Sequence, residues 1–188
     1  LNTKTGKNIF SNDDGTMSER FRYFVGGLQH YIPFLMPMFA PNVNSYRRFF
    51  AGESYAAPVN LDWGEENRTC GLRVPNSPPQ ARRVENRLPG ADVNPYLAIA
   101  ATMACGYLGM KEKIEPRRMV TGRADAVAEL EVPWNIEQAL DKMLECQEMR
   151  DVLTDDFVRG FVATRWAEFE NFKRVISSWE REHLMSSV

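Results

Sequence analysis

The sequence predicts an α+β fold in which a mostly antiparallel, curved sheet is backed by helices. Apolar residues recur at helical spacing in four long stretches, and they alternate with polar residues in three short stretches between the first two of these. The 188 residues, of which 44% are hydrophobic, are enough for one domain with a sizeable core. Because no internal repeat or low-complexity tract marks a second unit, we treat residues 1–188 as a single domain.

The first helix is expected after a polar opening segment with a turn signal at Asn12-Asp13-Asp14-Gly15. Ser18 can cap this helix, and apolar residues then follow at helical spacing. Pro33 and Pro37 are expected to interrupt it, because proline removes a helical hydrogen bond. The predicted helix therefore covers residues 18–32.

Three strands are expected next, after a ligand-reaching loop over residues 41–58. The first strand covers 59–63 and the second 69–74, with a turn from Gly64 to Asn67 that favours an antiparallel pair. The third covers 83–88, beyond a proline-rich loop. These strands form the predicted sheet.

Three further helices complete the predicted fold. Asp92 or Asn94 can cap a helix over 94–112, whose nearly continuous apolar body predicts burial on most sides. A capping-box pattern at Asn135 opens a helix over 136–147, and a last long helix is expected over 155–183. The aromatic stripe of the last helix is typical of core or subunit packing.

The most informative pattern is the segment Arg83-Val84-Glu85-Asn86-Arg87. In an extended chain Arg83, Glu85 and Arg87 point the same way, which places a carboxylate between two guanidiniums. Arg73 projects from the polar face of the neighbouring strand. Guanidinium forks suit carboxylate and phosphate, and a metal ion would explain the ionised glutamate, so the pattern predicts a site for an acidic, phosphorylated substrate. The alternative is a solvated strand face with ordinary charge alternation.

Composition excludes several classes of function. The net charge of -2, the pI near 5.8 and the scattered basic residues do not indicate nucleic-acid binding. Cys70, Cys105 and Cys146 lack disulfide or zinc spacing, and His30 and His183 lack partners at metal-ligand spacing. No membrane span or export signal occurs, so we expect a cytoplasmic protein without membrane partners.

Several short motifs occur in a fixed order along the chain. They are Asn44-Ser45-Tyr46-Arg47-Arg48, Ala57-Pro58-Val59, Asn67-Arg68-Thr69, Arg73-Val74-Pro75, Arg83-Val84-Glu85-Asn86-Arg87, Asn94-Pro95-Tyr96-Leu97-Ala98 and Gly106-Tyr107-Leu108-Gly109-Met110. In this order and spacing they resemble the glutamine synthetase family, specifically the C-terminal part of its catalytic domain. The resemblance implies an ATP-dependent ligase that converts glutamate to γ-glutamyl phosphate, from which an amine displaces the phosphate. It also implies a ring-shaped homo-oligomer.

The resemblance assigns roles to individual residues. Glutamate binding is implied for Arg48, Arg68 and Arg87. ATP binding is implied for Arg68, Arg73 and Arg83, and Arg68 is the catalytic residue because it faces both the transferring phosphate and the glutamyl group. Only Arg48 of the pair Arg47-Arg48 matches a family position. Glu85 is implied as a ligand for Mg²⁺ or Mn²⁺, hard cations that prefer oxygen donors.

One departure from the family concerns the amine. Members that use ammonia carry Tyr-Glu-Ala-Pro on a flap, whereas this chain has Tyr55-Ala56-Ala57-Pro58. The missing glutamate and the smaller side chain favour a branch similar to the γ-glutamylpolyamine and γ-glutamylamide synthetases, in which a larger amine replaces ammonia. Glu53 could replace the missing base only if the loop folds back.

Two other departures concern ATP and regulation. Gln80 stands where many members have a lysine that contacts ATP, so that contact is in doubt. The stretch from Arg117 to Val132 contains no tyrosine, so control by nucleotidylation of this segment is not expected.

The opening Leu1-Asn2-Thr3-Lys4-Thr5-Gly6-Lys7 reads like the middle of a loop, so we expect a piece of a longer protein. The family's His-x-His-x-Ser element, its other metal-binding glutamates, the first half of the catalytic domain and the N-terminal β-grasp domain are then expected upstream. With one metal ligand, the 188 residues alone are expected to be inactive.

Two other functions are open at this point. The chain could be a non-catalytic module that keeps only the fold, which predicts a parent reading frame starting near Leu1. It could also be a guanidino-kinase-like phosphotransferase, since those enzymes use arginine-lined sheets, but that hypothesis does not explain the ordered motifs.

Overall fold

The computed structural model describes residues 1–49, 58–124 and 130–185 of the chain. Within these residues the predicted α+β class is confirmed, with helices packed around a small sheet. The helices are α1 (Glu19–Phe39), α2 (Pro95–Glu112), α3 (Ile136–Glu145), α4 (Gln147–Leu153), α5 (Asp155–Lys173) and α6 (Ser178–Leu184). The strands are β1 (Trp63–Glu65), β2 (Leu72–Val74) and β3 (Glu85–Asn86), and 3₁₀ turns cover Val43–Arg48 and Pro79–Ala81. In the described part of the chain, no helix combines the length and apolar character needed to span a membrane.

Helix α1 begins where the sequence predicts, but it does not end there. The Ser18 side chain accepts a hydrogen bond from the Phe21 amide, as expected of a capping serine. The expected interruption at Pro33 and Pro37 is wrong, because the helix continues through both to Phe39. The residues beyond Pro33 are largely buried, and we attribute the continuation to that burial, which outweighs a cost of about 3 kcal/mol for a proline inside a helix.

Helices α1 and α2 cross closely at a pair of glycines. A β-carbon added at Gly109 would lie 2.5 Å from the α-carbon of Gly27, so side chains at this crossing would separate the helices. The prediction that α2 is buried on most sides is wrong. Tyr96, Ile99 and Tyr107 are exposed by 82%, 64% and 51%, because only the opposite face of α2 packs against α1.

The C-terminal helices are shorter than predicted. The helix expected over 136–147 ends at Glu145, and Cys146 leaves the helical conformation before α4 begins. The long helix expected over 155–183 is divided into α5 and α6. Ser177 and Glu180 form a capping box that starts α6 as a separate element.

Strands β1 and β2 pair in parallel, so the predicted antiparallel hairpin is wrong. The connecting segment 66–71 brings the chain back beside the start of β1, so that β2 runs in the same direction as β1. Buried Asn60 fixes this segment. Its side-chain amide donates to the Thr69 carbonyl at 3.0 Å, and its side-chain oxygen accepts from the Gly71 amide at 3.1 Å. The Asn60 side chain thereby satisfies the Thr69 carbonyl and the Gly71 amide, which in a hairpin would pair with the backbone of the first strand.

Strand β3 pairs antiparallel with β2, and this pairing places the charged side chains. Arg73 lies opposite Glu85, and Leu72 lies opposite Asn86. Leu72 and Val74 are buried while Arg73 lies on the other face of β2, as the alternation predicts. The sheet therefore has an apolar face toward the core and a charged face toward the candidate site.

Arg82 anchors the N-terminal segment to the rest of the protein. Its guanidinium donates to the Thr16 carbonyl at 2.7 Å, the Ser11 hydroxyl at 2.8 Å and the Gly15 carbonyl at 3.0 Å. The predicted turn ending at Gly15 is confirmed, because the Gly15 amide donates to the Asn12 carbonyl. The predicted strand 83–88 gave no indication of this contact, since it depends on distant backbone carbonyls.

We expect Arg82→Lys to lower the free energy of unfolding by about 2 kcal/mol, because a single ammonium cannot reach acceptors on both sides of the guanidinium. Urea denaturation would measure the change. The matched control is Arg83→Lys, which should change stability little, because within the described residues the Arg83 guanidinium donates to one acceptor, the nearby Ala81 carbonyl. Equal losses from the two substitutions would show that Arg82 has no special anchoring role.

Candidate active site

The centre of the charged face is a chain of ion pairs around Glu85. Its carboxylate accepts from Arg73 at 2.5 Å and lies 3.5 Å from the Nε of Arg87. Glu85 is therefore flanked by Arg73 and Arg87, where the sequence predicted Arg83 and Arg87. The antiparallel register decides this, since it places Arg73 directly opposite Glu85.

Arg83 does not join this cluster. Its side chain is exposed, and its guanidinium donates to the Ala81 carbonyl at 3.3 Å. The two-residue strand β3 explains the difference, because Arg83 lies before its first residue and outside the alternating ladder.

Arg73 has a second carboxylate partner, Glu66, at 2.7 Å. The other oxygen of Glu66 accepts from the backbone amide of Asn76, so both of its oxygens are used. The hydrogen bonds that Arg73 donates to Glu66 and Glu85 raise the pKa of Arg73, and the bond with Arg73 lowers the pKa of Glu66 from its usual value. Arg73 is thus a fixed cation with a defined direction.

Arg87 connects the ion pairs to the loop that carries Arg68. Its Nη1 donates to the Arg68 carbonyl and, at 3.2 Å, to the Cys70 carbonyl. Burial lowers the pKa of Arg87, opposed by the charge of Glu85. Because one guanidinium contacts Glu85 and two backbone carbonyls, Arg87 fixes the Arg68 loop relative to the sheet.

Arg68 has an exposed side chain between two anchored neighbours. Asn67 donates to the Gly122 carbonyl at 2.6 Å, and the Thr69 hydroxyl accepts from the Ala124 amide at 2.9 Å. The segment 122–124 therefore holds the Arg68 loop in addition to Arg87. The backbone of Arg68 is fixed while its guanidinium faces solvent.

Arg48 contacts the loop that follows Arg87. Its Nη2 donates to the Leu88 carbonyl at 3.1 Å, and its guanidinium lies 4.7 Å from the centre of the Phe49 ring. Burial lowers the pKa of Arg48, while the charge of Asp92 acts in the opposite direction. Neighbouring Arg47, which matches no family position, is exposed.

The structure therefore brings Arg73, Glu85 and Arg87 into direct contact and ties Arg68 to them through its backbone. This arrangement of fixed guanidiniums beside one carboxylate can bind phosphate and carboxylate oxygens at the same place. Comparison with known proteins identifies the family of the chain. The family model described as "Glutamine synthetase, catalytic domain" matches residues 1–184. The chain belongs to the glutamine synthetase family.

The chain is similar to family members whose names refer to different reactions or amines. It is 34% identical to the type-1 glutamine synthetase 2 of Dictyostelium discoideum over 98% of its own length and 36% of that protein. It is 34% identical to the glutamate–isopropylamine ligase of a Pseudomonas species, over 96% of its length and 40% of that protein. With the γ-glutamylputrescine synthetase PuuA of Escherichia coli K12 the identity is 32%, over 100% and 39%.

A solved structure supports the same assignment. The complex of GmaS with ADP superimposes with a TM-score of 0.85 at 27% identity, over 98% of this chain and 44% of that chain. The chain thus spans about two fifths of the length of these relatives. The resemblance inferred from the motifs is confirmed at the level of family and fold.

Two carboxylates of the candidate site were not predicted from the sequence. Glu66 holds Arg73, and Asp92 accepts hydrogen bonds from the turn that carries Arg48. Asp92 was noticed only as a possible helix cap, a role that belongs to Asn94. No local pattern distinguishes either residue, because Glu66 contacts Arg73 only through the pairing of the chain around β2 and Asp92 contacts a turn distant in sequence.

Glu85 is chemically suited to a divalent metal. Its oxygens are hard donors, and its side chain is 41% exposed on the charged face. Within the described ranges, no group of three or more histidine, cysteine, aspartate or glutamate residues could hold a metal ion. Among the described residues, Glu85 is the candidate ligand of the type that Mg²⁺ uses.

Two other sequence predictions have different outcomes. The flap residues Tyr55, Ala56 and Ala57, together with Glu53, lie outside the described residues. Gln80 lies in the 3₁₀ turn Pro79–Ala81, where its backbone carbonyl accepts from the Asn8 side chain at 3.2 Å. Its side chain stays an untested departure from the family pattern.

Proposed function

We propose that the protein containing this chain is an ATP-dependent ligase that joins the γ-carboxylate of glutamate to an amine through γ-glutamyl phosphate. The observation that carries the proposal is the contact of Arg73 and Arg87 with Glu85, beside the anchored Arg68 loop. Family membership supplies the reaction class. A guanidino kinase does not account for the ordered motifs, and a non-catalytic module that keeps only the fold is the alternative that the assay below tests.

The arginines of the site suit the two demands of phosphoryl transfer, which are positioning and charge stabilisation. Arg68 is the catalytic residue in this proposal, because its exposed guanidinium can contact oxygens of the transferring phosphate. Arg73 and Arg83 bind ATP, while Arg48, Arg68 and Arg87 bind glutamate. Fixing these cations before the substrate arrives reduces the reorganisation needed during the reaction.

Glu85 would hold Mg²⁺ or Mn²⁺ in the complete protein. When bound, the metal would neutralise charge on the phosphate oxygens. If Glu85 binds the metal, Arg73 keeps its ion pair with Glu66, so the orientation of the Arg73 guanidinium does not depend on Glu85 alone. ATP, glutamate and the metal thus share one charged face of the sheet.

We propose an amine larger than ammonia as the second substrate. Ala56 replaces the flap glutamate that ammonia-using members carry, and it leaves more room. Relatives named for isopropylamine and putrescine support this interpretation. The amine itself is one of several candidates, including putrescine, spermidine and ethanolamine.

We also propose that residues 1–188 form the C-terminal part of a catalytic domain whose first half and N-terminal β-grasp domain lie upstream. The coverage of two fifths of the relatives supports this. The exposed apolar side chains of Tyr96 and Ile99 on α2 indicate a surface that further protein would cover. On this proposal the 188 residues are inactive alone, and the complete protein is a ring-shaped cytoplasmic homo-oligomer.

Phosphate release by the full-length protein tests the proposed function. The assay contains ATP, Mg²⁺ and glutamate with ammonium, putrescine, spermidine or ethanolamine. We expect release that depends on glutamate and is fastest with one of the larger amines. Activity confined to ammonium would contradict the interpretation of Ala56, and no activity with any amine would favour a non-catalytic module.

Arg48→Gln in the full-length protein is expected to raise the KM for glutamate by at least about tenfold, because it removes a charged fork from the proposed carboxylate site. Arg47→Gln is the matched control, since Arg47 is the exposed neighbour. Steady-state kinetics with glutamate as the varied substrate would measure both. Similar values for the two variants would exclude Arg48 from glutamate binding.

A further inference from the structure

Asp92 lies at the junction of two elements that carry proposed substrate-binding arginines. One of its oxygens accepts from the Ser45 hydroxyl at 2.5 Å and from the Asn42 side-chain amide at 2.9 Å. Asn42 caps the 3₁₀ turn Val43–Arg48, and Ser45 completes its capping box. The carboxylate of Asp92 thereby holds the first turn of the element that ends at Arg48.

The side chain of Arg48 contacts the loop 87–92, which carries Asp92. Its Nη2 donates to the Leu88 carbonyl at 3.1 Å. A β-carbon added at Gly90 would lie 2.8 Å from this nitrogen, so the guanidinium packs directly on the glycine backbone. The turn and the loop are therefore joined at both ends, by Asp92 at one end and by Arg48 at the other.

The same loop begins at Arg87 and is itself held in place. Leu88 is fully buried, and the Gly90 amide donates to the Phe39 carbonyl at the end of α1. Arg87 therefore precedes a segment that cannot shift freely. The position of Arg48 relative to Arg87 depends on how tightly the turn is attached to this segment.

We propose that Asp92 is a positioning residue for the glutamate site, which sets the spacing between Arg48 and Arg87. This rests on the proposed function, in which both arginines bind glutamate. Asp92 does not contact substrate in this proposal. It acts through the Asn42 and Ser45 bonds, which fix the turn so that two forks meet one substrate in a single geometry.

The charge of Asp92 fits this role. Burial acts to raise the pKa of Asp92, but the hydrogen bonds from Ser45 and Asn42 and the charge of Arg48 outweigh it and hold the pKa below its ordinary value. The carboxylate is therefore ionised at neutral pH. Charge-assisted hydrogen bonds are about twice as strong as neutral ones, so an isosteric amide would hold the turn less firmly.

The test is Asp92→Asn in the full-length protein. We expect the KM for glutamate to rise about tenfold while the KM for ATP changes less than about twofold, because misplacing one fork affects only the substrate it binds. Direct titration calorimetry with glutamate should show the same weakening. Asp141→Asn is the matched control, since Asp141 is an exposed aspartate on α3.

A purely structural role would give a different result. Equal rises in both KM values, or an unchanged KM for glutamate, would overturn the proposal. Should Asp92→Asn fail to fold, Ser45→Ala carries the test. It removes the hydroxyl that donates to Asp92 and accepts from the Asn42 amide, while the bond from the Asn42 side chain to Asp92 remains, so glutamate binding should shift in the same direction by a smaller factor. No shift with Ser45→Ala would also overturn it.

The readouts separate this proposal from the proposed function. A wild-type protein that releases no phosphate with any amine contradicts the ligase, whereas calorimetry still reports whether glutamate binds. Loss of glutamate binding in Asp92→Asn without wild-type turnover would support the positioning role alone. If the wild type is active and Asp92→Asn binds glutamate normally, the positioning role of Asp92 is contradicted and the proposed ligase function is not.

Discussion

Gly109→Ala is expected to lower the free energy of unfolding by about 3 kcal/mol, at the upper end of the range for overpacked cores. The new methyl group would lie 2.5 Å from the Gly27 α-carbon and 2.6 Å from its nitrogen. Both atoms belong to the backbone of α1, so no side chain can rotate away. Relief requires the two helices to separate, which loosens the packing of apolar side chains along their crossing. Urea denaturation followed by circular dichroism would measure the loss.

Gly160→Ala is the matched control for this prediction. Gly160 lies inside α5, and among the described residues a β-carbon there would meet no atom within 4 Å outside the backbone of its own helix. Alanine favours the helix over glycine by about 1 kcal/mol, so the same chemical change should increase stability at this position. If Gly109→Ala also stabilised the protein, the close approach of α1 and α2 described here would be incorrect.

Arg87→Lys is expected to reduce kcat of the full-length ligase by about 100-fold, a loss typical of removing one preorganised donor from a reacting centre. The guanidinium contacts the Glu85 carboxylate and donates to the carbonyls of Arg68 and Cys70. A lysine keeps the charge, but its single nitrogen cannot maintain these contacts together. The Arg68 loop would lose its attachment to the sheet, and the proposed glutamate site would lose its fork.

Arg118→Lys is the control, since Arg118 is exposed and, among the described residues, takes no part in the ion pairs around Glu85. Phosphate release under saturating ATP and glutamate gives kcat for both variants, and thermal denaturation shows whether each is folded. A folded Arg87→Lys protein with kcat within about threefold of wild type would contradict the role of Arg87 in holding the Arg68 loop.

Local chemistry made much of the fold predictable. Ser18, Asn94 and Asn135 each cap the helix expected after them, because a capping side chain bonds to amides only two or three residues away. The alternation of Leu72, Arg73 and Val74 likewise gave the correct faces of β2. The motifs gave the family, since their order depends on the chain alone.

Predictions that depended on distant partners were less successful. The sequence favoured a hairpin between 59–63 and 69–74, but buried Asn60 stabilises a parallel return through bonds to Thr69 and Gly71. Helix α1 was expected to stop before Pro33, but it continues because the residues that follow are buried. In both cases tertiary contacts outweighed a correct local preference.

The candidate site shows the same division. By itself, the sequence determined which residue types are present, their alternation along β2 and the family to which they belong. Only the tertiary structure decided that Glu85 pairs with Arg73 and not with Arg83, and that Asp92 holds the turn of Arg48. The physical reason is that ion pairs and hydrogen bonds depend on distances of about 3 Å between atoms, and strand register and loop docking set those distances across long separations in sequence.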